Sequence, residues 1–174
     1  MKYISTRGES KELGFEDVLL KGLAPDGGLY VPFEWPSIDY KKLNNQFYWQ
    51  DAAEILYPFF NDFINKEELN LLTKKAYLSF ESEDMSPLIQ LDDNKYLLEL
   101  FHGPTLAFKD FAMLLLAELF DLSLKKRNEK ITIIGATSGD TGSAAIEAFK
   151  QSENVNVFIF FPKDRVSEIQ RKQM

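Results

Sequence analysis

The sequence contains no cysteine and a single histidine, His102. The lack of cysteine excludes disulfide scaffolds, thiolate nucleophiles and zinc sites built on sulfur. Only metal sites built from carboxylates or mixed oxygen ligands would remain, and no metal is predicted. Catalysis by this chain therefore has to come from other nucleophiles, from acids and bases, or from an organic cofactor.

Long apolar runs and an excess of basic residues are also missing. The longest unbroken apolar run, residues 111–117, is far shorter than the roughly 18 residues that span a bilayer. The first ten residues hold no apolar stretch typical of a secretory signal. The 20 Lys and Arg against 27 Asp and Glu give a net charge of −7, the wrong sign for neutralising nucleic-acid phosphates. We expect a cytoplasmic protein without membrane or nucleic-acid partners.

The first half of the chain has helical periodicity. With 174 residues, 45% of them hydrophobic, the chain is apolar enough to fold as one domain or slightly more. Asn65 followed by Glu68 has the spacing of a capping box and opens a helix. Pro58 marks the expected end of an earlier helix. We predict a mainly helical region over residues 1–86, with a short strand at 3–5 and helices at 15–23, 49–60 and from 66 onward.

The second half, residues 87–174, alternates between strand and helix patterns. Two β-rich runs around a polar turn predict a hairpin over 88–91 and 96–101. A long helix, apolar on nearly all sides, follows at 109–126. The pattern then predicts a strand, a helix and a second strand, at 131–135, 141–150 and 155–161. This order is typical of a parallel sheet covered by helices, so the predicted fold class is α/β with an αβα unit in this region.

The first candidate site is the segment Gly-Ala-Thr-Ser-Gly-Asp-Thr-Gly at residues 135–142, between a predicted strand and a predicted helix. Its glycines allow close backbone approach, and the first N–H groups of a helix have no intrahelical acceptor. Such a segment can bind a carboxylate or a phosphate. Its spacing differs from a Walker A loop, a GxGxxG loop and a nucleophile elbow. A tight turn capped by Asp or Thr is the alternative interpretation.

The second candidate is Lys109, which follows a Gly-Pro turn and lies between Phe108 and Phe111. Apolar surroundings favour the neutral amine, the form that condenses with an aldehyde cofactor. A solvated charge at a helix start is the alternative. Asp110 is expected to serve the helix end and face solvent. His102 near a strand end is typical of a hydrogen-bonded structural residue rather than a base.

Read together, two segments resemble one family. LELFHGPTLAFKD and ATSGDTG are similar to motifs of the threonine synthase family, which uses pyridoxal 5'-phosphate and has the fold type II (tryptophan synthase β-like) architecture. The N-terminal segments YISTRG and GLAPDGGLYVP are similar to that family too. The resemblance runs from Tyr3 to about Gln170, nearly the whole chain.

The resemblance implies roles for individual residues. Lys109 would be the catalytic and cofactor-binding lysine, and Asp140 would border the cofactor. The substrate carboxylate would lie on the loop formed by Thr137, Ser138, Gly139 and Thr141. The implied reaction converts O-phosphohomoserine and water to threonine and phosphate. Another fold type II activity, such as a threonine or serine dehydratase, and a non-catalytic folded fragment are the alternatives, although Asp140, where many relatives have Asn, favours threonine synthase.

The resemblance also implies that the loop gripping the cofactor phosphate lies downstream of residue 142. No second glycine-rich loop follows that residue. Ser167 and Gln170 have capping-box spacing, but they open a helix of about seven residues, too short to be stable alone. We expect a truncated N-terminal part of an enzyme that, alone, holds the cofactor weakly or not at all.

Overall fold

A computed structural model of the chain describes residues 1–43 and 47–174. It divides into two compact units, Met1–Lys74 and Lys75–Met174. The domain boundary predicted after residue 86 stays a prediction. Within the described ranges, no helix has the length and apolar character needed to cross a membrane.

The first unit combines a small antiparallel sheet with helices. The helices and the strand at 3–5 were predicted, but the second strand was not. Strand β1 (Tyr3–Ser5) pairs with β2 (Tyr30–Pro32). The helices are α1 (Phe15–Lys21), α2 (Tyr48–Phe60) and α3 (Lys66–Tyr77), with a 3-10 helix at Tyr40–Lys42, and the last residues of α3 belong to the second unit. The Glu68 N–H donates to Asn65 Oδ1 at 2.8 Å, which confirms the predicted cap of α3.

Helix α2 ends at Phe60, as predicted, and Pro58 lies inside the helix two residues before its end. Proline removes one backbone donor, so near a helix end it costs a single hydrogen bond. The residues that follow are held by packing. The Phe60 ring centroid lies 4.1 Å from that of Phe15, and the Tyr3 hydroxyl donates to the Phe59 carbonyl at 2.8 Å. These contacts explain why the helix continues to Phe60.

Asp26 organises the turn between α1 and β2. Its Oδ1 accepts from Ser5 Oγ at 2.7 Å and from the Gly28 N–H at 2.9 Å, while its Oδ2 accepts from the Glu9 N–H at 3.1 Å. Desolvation raises the pKa of Asp26, but the hydrogen bonds from Ser5, Gly28, Ser10 and Glu9 outweigh it and lower the pKa to about 2. The ionised carboxylate is therefore the form that the folded turn favours.

Replacing Asp26 with Asn is expected to lower stability at neutral pH. A carboxyl whose pKa is depressed by folding stabilises the fold above its unfolded pKa of about 4, and this contribution is lost as the pH falls towards 2. The thermal unfolding midpoints of parent and Asp26→Asn should thus differ at pH 7 and converge near pH 2. Glu34→Gln, at an exposed carboxylate, is the control. An equal midpoint difference at both pH values would contradict this expectation.

The second unit contains an antiparallel hairpin followed by an α/β arrangement. Strands β3 (Leu88–Asp92) and β4 (Lys95–Leu98) form the predicted hairpin, although β4 ends three residues earlier than expected. The remaining elements are α4 (Asp110–Arg127), β5 (Ile131–Ala136), α5 (Asp140–Phe149), β6 (Val155–Phe160) and α6 (Glu168–Gln173).

Strands β5 and β6 pair in parallel, from Ile131 opposite Val155 to Ala136 opposite Phe160. This confirms the predicted parallel pair and the α/β class. Helix α5 packs against β6 and α4, and the Phe120 and Phe149 rings lie 5.9 Å apart between the two helices. Because burial alternates along both strands, one face of the pair is covered and the other is exposed. The carboxyl end of β5 leads directly into the segment at residues 137–139.

Candidate active site

Lys109 lies immediately before the first residue of α4, at the end of the turn that begins at Gly103. Its Nζ is 3.9 Å from Asp140 Oδ2 and 5.2 Å from the centre of the Phe108 ring. Asp140 is the first residue of α5. The Lys109 side chain is 31% exposed, so its amine can be reached from solvent. The fold thus brings together the two segments that the sequence analysis singled out separately.

Asp110 is buried rather than solvent-facing, so the prediction for this residue was wrong. It is 0% exposed, and its carboxylate folds back onto the preceding turn. Its Oδ2 accepts from the Thr105 N–H at 2.8 Å and its Oδ1 accepts from Thr105 Oγ1 at 2.6 Å. Thr105 is itself buried, and buried donors need an acceptor. Asp110 is buried because the N–H and the hydroxyl of buried Thr105 need its carboxylate as their acceptor.

The turn before Lys109 is tightly constrained. A Cβ at Gly103 would lie 2.5 Å from Asp110 Oδ2, so only glycine lets the carboxylate approach. Leu106 has a φ of +61°, a left-handed conformation that costs a branched residue about 1 kcal/mol or more. The two hydrogen bonds of Asp110 span this residue and offset that cost. The backbone leading to Lys109 is therefore set by Asp110 and Thr105.

The segment at residues 137–141 forms a turn at the start of α5. The Thr137 N–H donates to the Phe160 carbonyl at 2.9 Å and extends the strand pairing by one residue. Thr137 Oγ1 accepts from the Gly139 N–H at 3.2 Å. Ser138 and Thr141 are exposed, so their hydroxyls can meet a ligand. The first N–H groups of α5 lack intrahelical acceptors and carry the positive end of the helix dipole.

Helix α6 contributes residues that the sequence analysis did not predict for the site. Gln170 Nε2 donates to Asp140 Oδ1 at 2.5 Å, and Gln173 Nε2 donates to the Thr105 carbonyl at 3.1 Å. The only sequence signal here was the capping pair, which is confirmed because the Gln170 N–H donates to Ser167 Oγ at 3.2 Å. A capping pair shows where a helix starts, but it does not show which other residues the helix contacts.

His102 lies outside the Lys109–Asp140 pair. Its Nε2 is 2.7 Å from Glu99 Oε2, and both side chains are largely buried. The hydrogen bond joins the end of the hairpin to the start of the turn at Gly103. This contact supports the structural interpretation of His102.

The donor set fits an aldehyde cofactor next to a ligand that carries a carboxylate. A primary amine reachable from solvent can form a covalent bond to the carbonyl carbon. The exposed hydroxyls of Ser138 and Thr141 and the start of α5 provide hydrogen-bond donors for a carboxylate next to that amine. The neighbouring Asp140 Oδ2 lies 3.9 Å from Lys109 Nζ, within ion-pair distance. The arrangement is suited to covalent catalysis combined with proton transfer.

In sequence and in fold, the chain is similar to known threonine synthases. Residues 2–77 match the family described as "Threonine synthase N terminus". The threonine synthase of Pseudomonas aeruginosa is 49% identical over 177 aligned residues, which cover 100% of this chain and 38% of the relative. A PLP-bound threonine synthase from Brucella melitensis superposes with a TM-score of 0.95 at 50% identity, covering 100% of this chain and 38% of that one. The yeast enzyme gives a TM-score of 0.89 at 40% identity, over 99% of this chain and 38% of that one.

The parallel β5–β6 pair and its flanking helices are part of the fold type II α/β architecture. Within that class, the chain corresponds in sequence and in fold to the N-terminal portion of threonine synthases. It spans 38% of the length of the Pseudomonas aeruginosa and Brucella melitensis relatives.

Proposed function

We propose that the protein containing this chain is a threonine synthase, which uses pyridoxal 5'-phosphate to convert O-phosphohomoserine and water to threonine and phosphate. The observation that carries the proposal is the 3.9 Å approach of Lys109 Nζ to Asp140 Oδ2. It joins an amine suited to covalent catalysis with an anion-binding turn at the start of α5. Asp140 in that turn, together with the similarity to threonine synthases, favours this activity over a dehydratase.

Lys109 has two roles in the proposed mechanism. Its Nζ would hold the cofactor covalently through the aldehyde carbon until the substrate amine takes its place. The released amine then takes protons from the substrate carbons and returns them. When bound, pyridoxal phosphate supplies an electron sink for these proton transfers. Asp140 Oδ2, 3.9 Å away, forms an ion pair with Nζ and keeps the amine near the reacting carbons.

The turn at residues 137–141 positions the substrate in this proposal. The hydroxyls of Ser138 and Thr141 donate hydrogen bonds to the substrate α-carboxylate, together with backbone N–H groups at the start of α5. Thr137 Oγ1 and Gly139 hold the turn in shape. The substrate carboxylate is then fixed on one side of Lys109.

We propose that residues beyond those of this chain hold the cofactor phosphate, as the family resemblance implies. The 174-residue chain is accordingly expected to bind the cofactor weakly and to turn nothing over by itself. A small-molecule substrate as the partner, and a cytoplasmic location, remain predictions.

A product assay on the complete protein encoded by the reading frame that contains this chain tests the proposal. We expect threonine and phosphate from O-phosphohomoserine in equal amounts, and no 2-oxo acid from threonine. The purified protein should absorb visible light because of its Lys109-bound cofactor. Formation of 2-oxo acid from threonine without phosphohomoserine turnover would identify a dehydratase. A colourless protein inactive on both substrates would favour the non-catalytic alternative.

A further inference from the structure

Helix α6 is bonded to both segments that flank the Lys109 amine. Gln170 reaches Asp140, the first residue of α5, and Gln173 reaches Thr105 in the turn before α4. Residues three positions apart lie on the same face of a helix. One face of this short helix therefore contacts the two halves of the candidate site at once.

The orientation of the Gln170 amide is set from both ends. The Ser167 hydroxyl lies 3.2 Å from Gln170 Oε1 and can donate to it. That bond leaves Nε2 facing Asp140 Oδ1, 2.5 Å away. The Ser167 hydroxyl oxygen also accepts from the Gln170 N–H. Ser167 therefore fixes the side of the amide that donates to the carboxylate.

The two carboxylate oxygens of Asp140 have different partners. Oδ1 accepts from Gln170, and Oδ2 faces Lys109 Nζ at 3.9 Å. The Asp140 side chain is 47% exposed. The Gln170 bond fixes its Oδ1, which leaves Oδ2 directed towards the amine.

Gly139 provides independent steric support for this contact. A Cβ at residue 139 would lie 2.6 Å from the Gln170 amide atoms, and φ there is +156°. Glycine is the residue that adopts this backbone conformation and leaves room for the amide. The turn is thus shaped to receive the Gln170 side chain.

We propose that Gln170 is a positioning residue that orients Asp140 towards Lys109, with Gln173 in a weaker supporting role. Gln170 donates to Asp140 at the amine end of the site. The proposed carboxylate contacts, Ser138 and Thr141, lie on the turn held by the Thr137–Gly139 bond and at the start of α5. Loss of Gln170 should therefore slow proton transfer by Lys109 and leave substrate binding largely intact. This kinetic expectation depends on the proposed threonine synthase activity.

The test compares Gln170→Met and Gln170→Glu in the complete, cofactor-loaded protein. Both keep the length of the side chain, and neither methionine nor an ionised glutamate can donate to Asp140. We expect kcat to fall about tenfold while KM changes less than about twofold, because a misplaced catalytic group lowers the rate of chemistry. The visible circular dichroism of the bound cofactor, divided by its absorbance, should fall at least about twofold because the orientation of the amine end is less fixed. The thermal unfolding midpoint should not change.

Gln151→Met is the matched control, since it makes the same replacement at an exposed glutamine beyond the end of α5 and should leave every readout unchanged. Gln173→Met should show a smaller loss of kcat, because Asp110 still holds Thr105.

Two results would overturn the inference: parental kcat and dichroism in both Gln170 variants, or a rise in KM with kcat unchanged. If the parent binds the cofactor but makes no threonine, the proposed function fails, and the dichroism of the Gln170 variants still decides the positioning role. If the parent protein binds no cofactor, both the proposed function and the positioning role of Gln170 are wrong.

Discussion

Replacing Lys109 with alanine in the complete protein is expected to reduce turnover of O-phosphohomoserine by about 10² to 10⁴-fold or more. Acid–base assistance by a positioned side chain is worth about that factor, and loss of the covalent link to the cofactor adds to it. The fold should survive, because the Lys109 side chain is 31% exposed and contributes little to the core. Steady-state assays of threonine formation, with far-ultraviolet circular dichroism as the folding check, give the measurement.

Lys125→Ala is the appropriate control for this prediction. Lys125 is exposed in the last turn of α4, where it complements the helix dipole. Its removal should leave turnover within about twofold of the parent, since exposed end-of-helix charges contribute only a few tenths of a kcal/mol. Activity of Lys109→Ala within tenfold of the parent would show that another lysine is the catalytic one.

The strand–helix–strand order of the second unit could be predicted because its signals are local. The apolar, β-branched runs that became β5 and β6 are short, and a helical pattern separates them. Two strands joined through a helix pair in parallel when they lie in the same sheet. Because the carboxyl end of β5 and the start of α5 are consecutive in sequence, the turn at residues 137–139 could be located as well.

The contacts around Lys109 could not be predicted because they depend on the conformation of a turn and on distant partners. An aspartate in the first turn of a helix usually faces solvent, and nothing in the sequence pattern indicates that Asp110 folds back onto Thr105. A leucine with positive φ, as at Leu106, contradicts ordinary residue preference. Gln170 meets Asp140 across 30 positions of sequence, a contact that exists only once β6 has placed α6 beside the turn.

Replacing Asp110 with alanine is expected to lower the free energy of unfolding by about 2–3 kcal/mol, because it leaves the buried N–H and hydroxyl of Thr105 without their acceptor. Asp110→Asn should cost less, since the Asn Oδ1 can accept from the Thr105 N–H while its amide group donates to the Thr105 hydroxyl oxygen. Urea unfolding followed by far-ultraviolet circular dichroism gives the difference. Asp93→Ala, in the exposed turn of the hairpin, should stay within about 0.5 kcal/mol of the parent.

The double replacement with Thr105→Val separates the Asp110–Thr105 bonds from general packing. Valine matches threonine in shape but lacks the hydroxyl, so it removes the 2.6 Å bond to Oδ1 and keeps the backbone bond at 2.8 Å. If Asp110 stabilises the turn through Thr105, the two single losses should exceed the loss in the double variant by about 1 kcal/mol. Strictly additive losses would mean that Asp110 acts through other neighbours. The strained Leu106 backbone would then need a different support, and the position of Lys109 at the start of α4 would not depend on this carboxylate.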